Sequence, residues 1–454
     1  MGRLGARVGS VIALLLLVQL TLGVPATAGL APDRFDPNAG LVRWAESARS
    51  EGINAPSTGP IADHFEIVGH SDLGGDGFNA DVWVHGDFAY VGVWGSGEIC
   101  PATGVKVVDV SDPSAPDVVS VLSNPEGTSA EDVVVRSVDT PSFKGDLAVV
   151  GIQHACGARR QGLRFFDVTD PTRPVMLADW KSPARAPGCH EVDLVQRDDG
   201  TVLAGCADPF AELIVGKDEV VLVDATDPSN PQKIGGWALL ADLGQNPAKG
   251  VGCGQVAFAH SVRFTDGGET VYASYWDAGT INLDISNPAA PQFVGTTKLQ
   301  PLDEDGDNHS MTTAEGGKLI MINPEDFSPV ECGSRWGGWG EVWIYNNENP
   351  SNTRFLASFS TPNSDSGRTD GFYTVHNTEV SGQDAYSAWY SDGIVWWGFK
   401  GVPGMKGQFV PAPAPDPHGF FPTVPIMWGV AIDQATGLIL GSDINSGLWI
   451  VRPL

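Results

Sequence analysis

The segment Gly162-Leu-Arg-Phe-Phe-Asp-Val-Thr-Asp-Pro-Thr-Arg-Pro174 decides the fold, because the chain writes it repeatedly. Leu163 to Val168 carries the aromatic and β-branched residues that suit a pleated, buried strand. Asp170-Pro171 is turn chemistry: a carboxylate able to bond its own backbone, then a ring that presets φ at a corner. The same pattern appears at Gly104–Pro116, Glu219–Pro231 and Thr280–Pro291, and in a worn form at Glu341–Asn352. Gly393–Pro403 and Gly447–Leu454 keep the strand and lose the turn. A segment recurring at this spacing marks a repeat architecture.

Between successive copies lie two more strand-like runs joined by short turns, such as Val82–Val84 with Phe88–Val91 and Val430–Ile432 with Leu438–Leu440. Each unit therefore has four strands, and Asp109, Asp167, Asp224, Asp284, Asn346, Gly398 and Arg452 mark the end of the third strand in seven units. Phe65–Gly69 resembles an outer strand with no partners before it, while the last copy ends before its own outer strand. A ring joins the two defects and leaves no open sheet edge. The expectation is an all-β, seven-bladed β-propeller of four-stranded blades over 65–454, closed by an N-terminal strand that completes the last blade. The Asp-Pro strands resemble the LVIVD-repeat family of secreted β-propellers, over roughly Phe65 to Leu454. That resemblance implies the fold and says nothing about activity, since propellers host many unrelated functions.

The N-terminus reads as an export signal. Arg3 and Arg7 precede an apolar run from Val11 to Val24, and Ala26-Thr27-Ala28 offers small residues for cleavage. Residues 1–28 are expected to be removed, leaving a secreted protein with no membrane span. Residues 29–64 then form an arm with one short helix, Leu41–Arg49. The formal net charge of −28 argues against nucleic acid and anionic membrane surfaces as partners, both of which need a basic patch. A monomer kept soluble by its charge is expected. Six cysteines in an oxidising compartment read as disulfides. If Gln196–Gly200 is a hairpin turn, Cys189 faces Cys206; Cys100 and Cys156 sit in equivalent loops of neighbouring blades, which leaves Cys253 and Cys332.

The chemistry lies in the histidines. Aligning the start of each first strand puts Ala80, Glu131, His190, His260, His309, His376 and Trp428 in one slot. In a propeller this slot rings one mouth of the central channel, so four imidazoles from consecutive blades converge on one side. Neutral imidazole is the commonest metal ligand, and nitrogen donors without thiolate suit Cu, Fe or Zn. His190, His260, His309 and His376 are thus candidate ligands of a mononuclear centre. Glu131 is a fifth ligand or holds a ring from behind, with Asp305, Asp307 and His154 as weaker candidates on the same face. Trp336, Trp339 and Trp428 are candidates for the rim of a substrate mouth. Oxidation by Cu or Fe of a small organic substrate is the preferred reading, on the ground that four neutral ligands leave the ion's charge high. A four-His iron centre on a seven-bladed propeller is also the arrangement of the carotenoid-cleaving oxygenases, whose sequence pattern this chain lacks.

Other signals are weaker. Asp303–Asp307 departs from the calcium-loop pattern, because Gly306 comes too early and no Glu follows at the right distance; calcium stays a lesser alternative. No G-x-S-x-G nucleophile elbow occurs. The competing account of the histidines is a staple, in which each would bond an Asp in the turn after the second strand, with Asp277, Asp392 and Asp443 as partners. His and Asp coincide in the fourth and sixth blades, whereas the third and fifth have His without the turn, and the seventh has Asp443 beside Trp428. On the staple account the protein is a non-catalytic extracellular propeller that binds a ligand through its long loops.

Overall fold

In the computed structural model the described residues are 36–53, 59–96, 104–155, 161–182, 187–250, 256–265, 267–298, 306–329 and 338–454. Seven antiparallel sheets follow one another around a ring. Blade 1 starts with Asn79–His85, blade 2 with Val133–Asp139, blade 3 with Val192–Gln196 and blade 4 with Ala259–Phe264; Asn308–Ala314, Thr378–Ser381 and Met427–Asp433 open blades 5 to 7. The outer strand of blade 7 is Phe65–Ser71, which pairs with Gly447–Pro453. The ring is thus closed by the N-terminal strand, as the two matching defects of the sequence require. Blade 6 gains a fifth strand, Ile61–Asp63, against Gly404–Val410. In blade 2 the short Thr128–Ser129 pairs with the end of the long strand Lys144–His154.

Local chemistry explains the repeat. Asp109, Asp167, Asp224 and Asp284 each accept the backbone N–H two residues on, at 2.8–2.9 Å. Asp112, Asp170 and Asp227 do the same one corner later, at 3.0–3.2 Å. The turn is therefore specified by its own side chains rather than by packing. Packing then joins the blades. Gly235 in the outer strand of blade 3 lies so close to Pro288 of the next Asn-Pro turn that a Cβ would sit 1.9 Å from that carbonyl oxygen, and Gly69 meets Pro113 in the same way. Apolar side chains from adjacent blades fill the space between sheets, as Leu203 and Leu222 of blade 3 do with Val262 and Val271 of blade 4.

Outside the ring, helix α1 (Ala39–Glu51) lies over one mouth of the channel. The expected helix Leu41–Arg49 falls within it. Leu41 and Ala45 are fully buried, in one cluster with Phe372, Tyr390 and Trp428. The export signal lies outside the described residues, and no helix among those described is long and apolar enough to cross a membrane. Cys189 and Cys206 are bonded across the first two strands of blade 3. Cys100, Cys156, Cys253 and Cys332 fall outside the described residues.

Candidate metal centre

The slot histidines owe their direction to an irregularity at the start of each first strand. Pairing skips one residue between Ala259 and Ser261, and again between Asn308 and Ser310, so His260 and His309 are the extra residues of β-bulges. In blade 3 His190 and Glu191 together face Ala207, which accepts from the His190 N–H at 2.9 Å and donates to the Glu191 carbonyl at 3.0 Å. His376 and Asn377 face Ala388 in the same way. A bulge re-aims side chains that a regular strand would alternate. Here it turns two successive residues toward the axis.

The four imidazoles form a continuous arc. Ring centroids are 4.3 Å apart for His190 and His260, 4.1 Å for His260 and His309, and 4.1 Å for His309 and His376. Trp428 continues the arc, 4.6 Å from His376. All four histidines are at most 1% exposed. His190 Nε2 lies 3.0 Å from His260 Nε2; two nitrogens each about 2.1 Å from one ion stand roughly 3.0–3.4 Å apart.

Two carboxylates that the slot alignment does not reveal join the arc. Glu191 Oε1 is 3.6 Å from His260 Nδ1 and 3.5 Å from His309 Nε2. Glu325, just past the second strand of blade 5, brings Oε2 to 3.7 Å from His309 Nε2. Two convergent donor groups result, His190–Glu191–His260 and His260–His309–Glu325. His376 packs at a tilt against His309 of the second group without contributing to either. Tyr390, whose φ of 35° is unusual for a residue with a Cβ, donates its hydroxyl to Glu325 Oε1.

Behind the arc, Glu131 Oε2 is 3.2 Å from His190 Nδ1, and Gln153 Oε1 is 2.9 Å from the same nitrogen. His154, half-buried at the end of its strand, and Asp307 belong to neither donor group. Asp305 and Trp336 lie outside the described residues. Trp339 and Trp428 are buried in the aromatic cluster beneath α1 and line no open mouth. The staple partners are engaged elsewhere: Asp277 accepts the Val256 N–H at 2.7 Å, Asp392 accepts from Thr361 and Asn363, and Asp443 from the N–H groups of Ile426 and Ser446. Nδ1 of His260, His309 and His376 has no hydrogen-bond partner among the described residues.

Burial, then the neighbouring imidazoles, holds His260, His309 and His376 well below the ordinary histidine range, so these rings are neutral. Burial also raises Glu325 well above the usual carboxylate range, with the Tyr390 hydroxyl acting against it. Glu191 is raised by burial and then by Asp132 and Asp81. Those two residues occupy the position after the slot in blades 1 and 2 and, with Glu191, line an axial cavity of about 180 Å³ below the imidazoles. Burial pushes Asp132 up to about 7. The cavity's two guanidiniums are already matched, Arg263 to Glu379 at 3.0 Å and Arg136 to Asp193 at 3.9 Å.

Fold and site together define a closed seven-bladed propeller with a buried histidine–glutamate cluster at one end of its axis. The chain carries LVIVD repeats, matched at residues 76–122 and 268–298. Its fold is similar to the β-propeller domain of Cps50 (Swd1) from Myceliophteria thermophila (TM-score 0.52, 12% identity, covering 86% of this chain and 99% of that one). It is similar as well to the periplasmic gluconolactonase PpgL of Pseudomonas aeruginosa (TM-score 0.54, 12% identity, covering 80% and 91%). At that identity the likeness speaks for the fold alone. A comparison with curated proteins finds no match.

Proposed function

We propose that this is an exported metal-dependent oxidoreductase, with one transition-metal ion held at the imidazole arc and a small polar substrate admitted to the axial cavity. The two donor groups, which share His260, would supply the ion's ligands, and His376 closes the arc. The observation that carries the reading is Glu191 Oε1, a buried carboxylate oxygen that has no hydrogen-bond partner among the described residues and faces His260 Nδ1 at 3.6 Å and His309 Nε2 at 3.5 Å. A buried polar atom left unpaired costs about 1–3 kcal/mol, which a bound ion at the arc would offset.

Glu191 and Glu325 revise the choice of ion. The preference for copper or iron assumed neutral ligands only, whereas each donor group has two histidines and one carboxylate, a composition found in non-haem iron and catalytic zinc sites. Iron stands first on that basis; the calcium alternative concerns the loop Asp303–Asp307, of which residues 303–305 lie outside the described residues. Bound there, the ion would supply redox or Lewis-acid chemistry. Glu191 lines the cavity as well as facing the arc, so a substrate in the cavity would meet the site beside it. Asp81, Asp132 and Glu191, raised by burial toward their uncharged forms, would offer hydrogen bonds to a neutral polar molecule in that space.

The second reading keeps the propeller as a non-catalytic extracellular binding protein. In its favour, the backbones of His309, His376 and Trp428 approach the rings of His260, His309 and His376 from the next blade, so the histidines would pin blades together. Metal analysis of protein exported by a native-like host separates the two. Stoichiometric metal, lost in the His260→Ala, His309→Ala double variant, supports the enzyme. Metal-free wild-type protein whose stability survives the double replacement leaves the binding propeller.

A further inference from the structure

Helix α1 is joined to the donor set at two points. Asn38, the residue before the helix, donates its amide Nδ2 to Glu131 Oε2 at 3.2 Å, and the same oxygen stands 3.2 Å from His190 Nδ1. Asn38 and Glu131 are 4% and 3% exposed, so this contact is closed to water. Asp36 holds Asn38 in turn, accepting its backbone N–H at 2.9 Å while bonded to the Ser96 hydroxyl. At the second point Gly40 approaches Phe327 so closely that a Cβ would fall 2.0 Å from the ring. Phe327 stacks on Trp276 at 5.6 Å, and Trp276 lies 5.2 Å from His260.

We propose that docking of α1 and occupation of the imidazole site are one coupled equilibrium, with Asn38 as the positioning residue that links them; this rests on the ion-binding reading above. With α1 docked, the Asn38 amide fixes the Glu131 carboxylate, which with Gln153 keeps the Nδ1 side of His190 engaged and turns its Nε2 toward His260. Undocking frees Glu131 to rotate and releases that ring. A residue behind a metal-binding histidine sets its orientation and basicity. Linkage is reciprocal, so an ion that favours the ordered ring must favour the docked helix by the same factor.

The test uses the full mature chain, stripped by chelator, with Zn²⁺ and, without oxygen, Fe²⁺ as probes. Amide exchange across 39–51 should slow about tenfold on metal addition. Asn38→Ala should weaken Zn²⁺ binding about tenfold, the low end for loss of a group supporting a ligand. Trp44→Ala, which removes the contact with Phe372 at 4.7 Å and leaves Glu131 untouched, should weaken it in the same direction. Neither variant threatens the ring, whose closing strand is Phe65–Ser71. Failure of either ion to bind wild-type protein sinks the ion reading itself. Binding that leaves exchange and both variants unchanged overturns the coupling alone. Weakening by Asn38→Ala only, with exchange unchanged, reduces Asn38 to a local support and likewise overturns it.

Discussion

The ring has two unlike halves built on the same backbone. In blades 3 to 6 the slot holds imidazoles, followed by Glu191, Ser261, Ser310 and Asn377. In blades 7, 1 and 2 it holds Trp428, Ala80 and Glu131, followed by Gly429, Asp81 and Asp132. The irregular pairing that aims side chains at the axis occurs on both sides, at Met427/Gly429 and Asn79/Val82 as well as at the histidines. The repeat therefore supplies a position and a direction, and the residue placed there supplies the chemistry. One half gathers nitrogen donors. The other presents carboxylates and apolar surface.

If the halves differ in job, a buried polar group in the second should matter to folding and not to the ion. Asp443 in blade 7 accepts from the N–H groups of Ile426, Asn445 and Ser446 at 2.5, 3.1 and 2.8 Å. Asp443→Ala strands these buried donors and should cost about 3 kcal/mol of stability, at 1–3 kcal/mol for a group left unpaired, with metal content unchanged. Denaturant unfolding beside metal analysis reads both. Loss of the ion in this variant would erase the distinction between the halves.

How far this was legible in the sequence follows from range. The Asp-Pro turns bond within two or three residues, so composition alone exposes them, and the closing strand is betrayed by the matching defects at Phe65 and Leu454. The histidine slot is legible because it keeps the repeat's period. The Cys189–Cys206 bond follows from hairpin register. Glu191 escapes the slot alignment because a regular strand sends neighbours to opposite faces, and only the bulge brings His190 and Glu191 to the same side. Glu325 and Tyr390 obey no period at all; their meeting spans 65 residues and depends on a loop and a positive φ. The covering of the mouth by α1 is equally long-range, which is why Trp339 and Trp428 read as a rim and are instead interior.

A smaller effect tests Glu325 as a donor. Glu325→Gln keeps an acceptor for the Tyr390 hydroxyl and removes the carboxyl that would ionise on binding an ion, so ion affinity should fall about 10- to 100-fold, the scale of changes around a metal ligand. Glu219→Gln is the control. Glu219 is as buried and raised by the same desolvation, but its carboxylate accepts the Ala259 N–H at 3.0 Å and belongs to neither donor group. Equal affinities in the two variants would remove Glu325 from the site.

The smallest effect is a slope with pH in the metal-free protein. His260, His309 and His376 have folded pKa values below the unfolded value of about 6.5. Between the two the unfolded chain binds more protons, so stability rises with pH. Their contribution is complete above about 6.5 and is lost as pH falls below it, at up to about 1.4 kcal/mol per unit for each ring. Glu325 runs the other way: its folded value is raised, so its contribution is present below about 4.3 and lost as pH rises through the folded value. Comparing wild type with the His260→Gln, His309→Gln variant subtracts what the carboxylates share. The difference should change steeply from pH 6.5 to 5 and level off above 7. A difference flat across that window would mean that the rings take up protons in the folded state, so that water reaches the arc and the burial setting this half of the ring apart is lost.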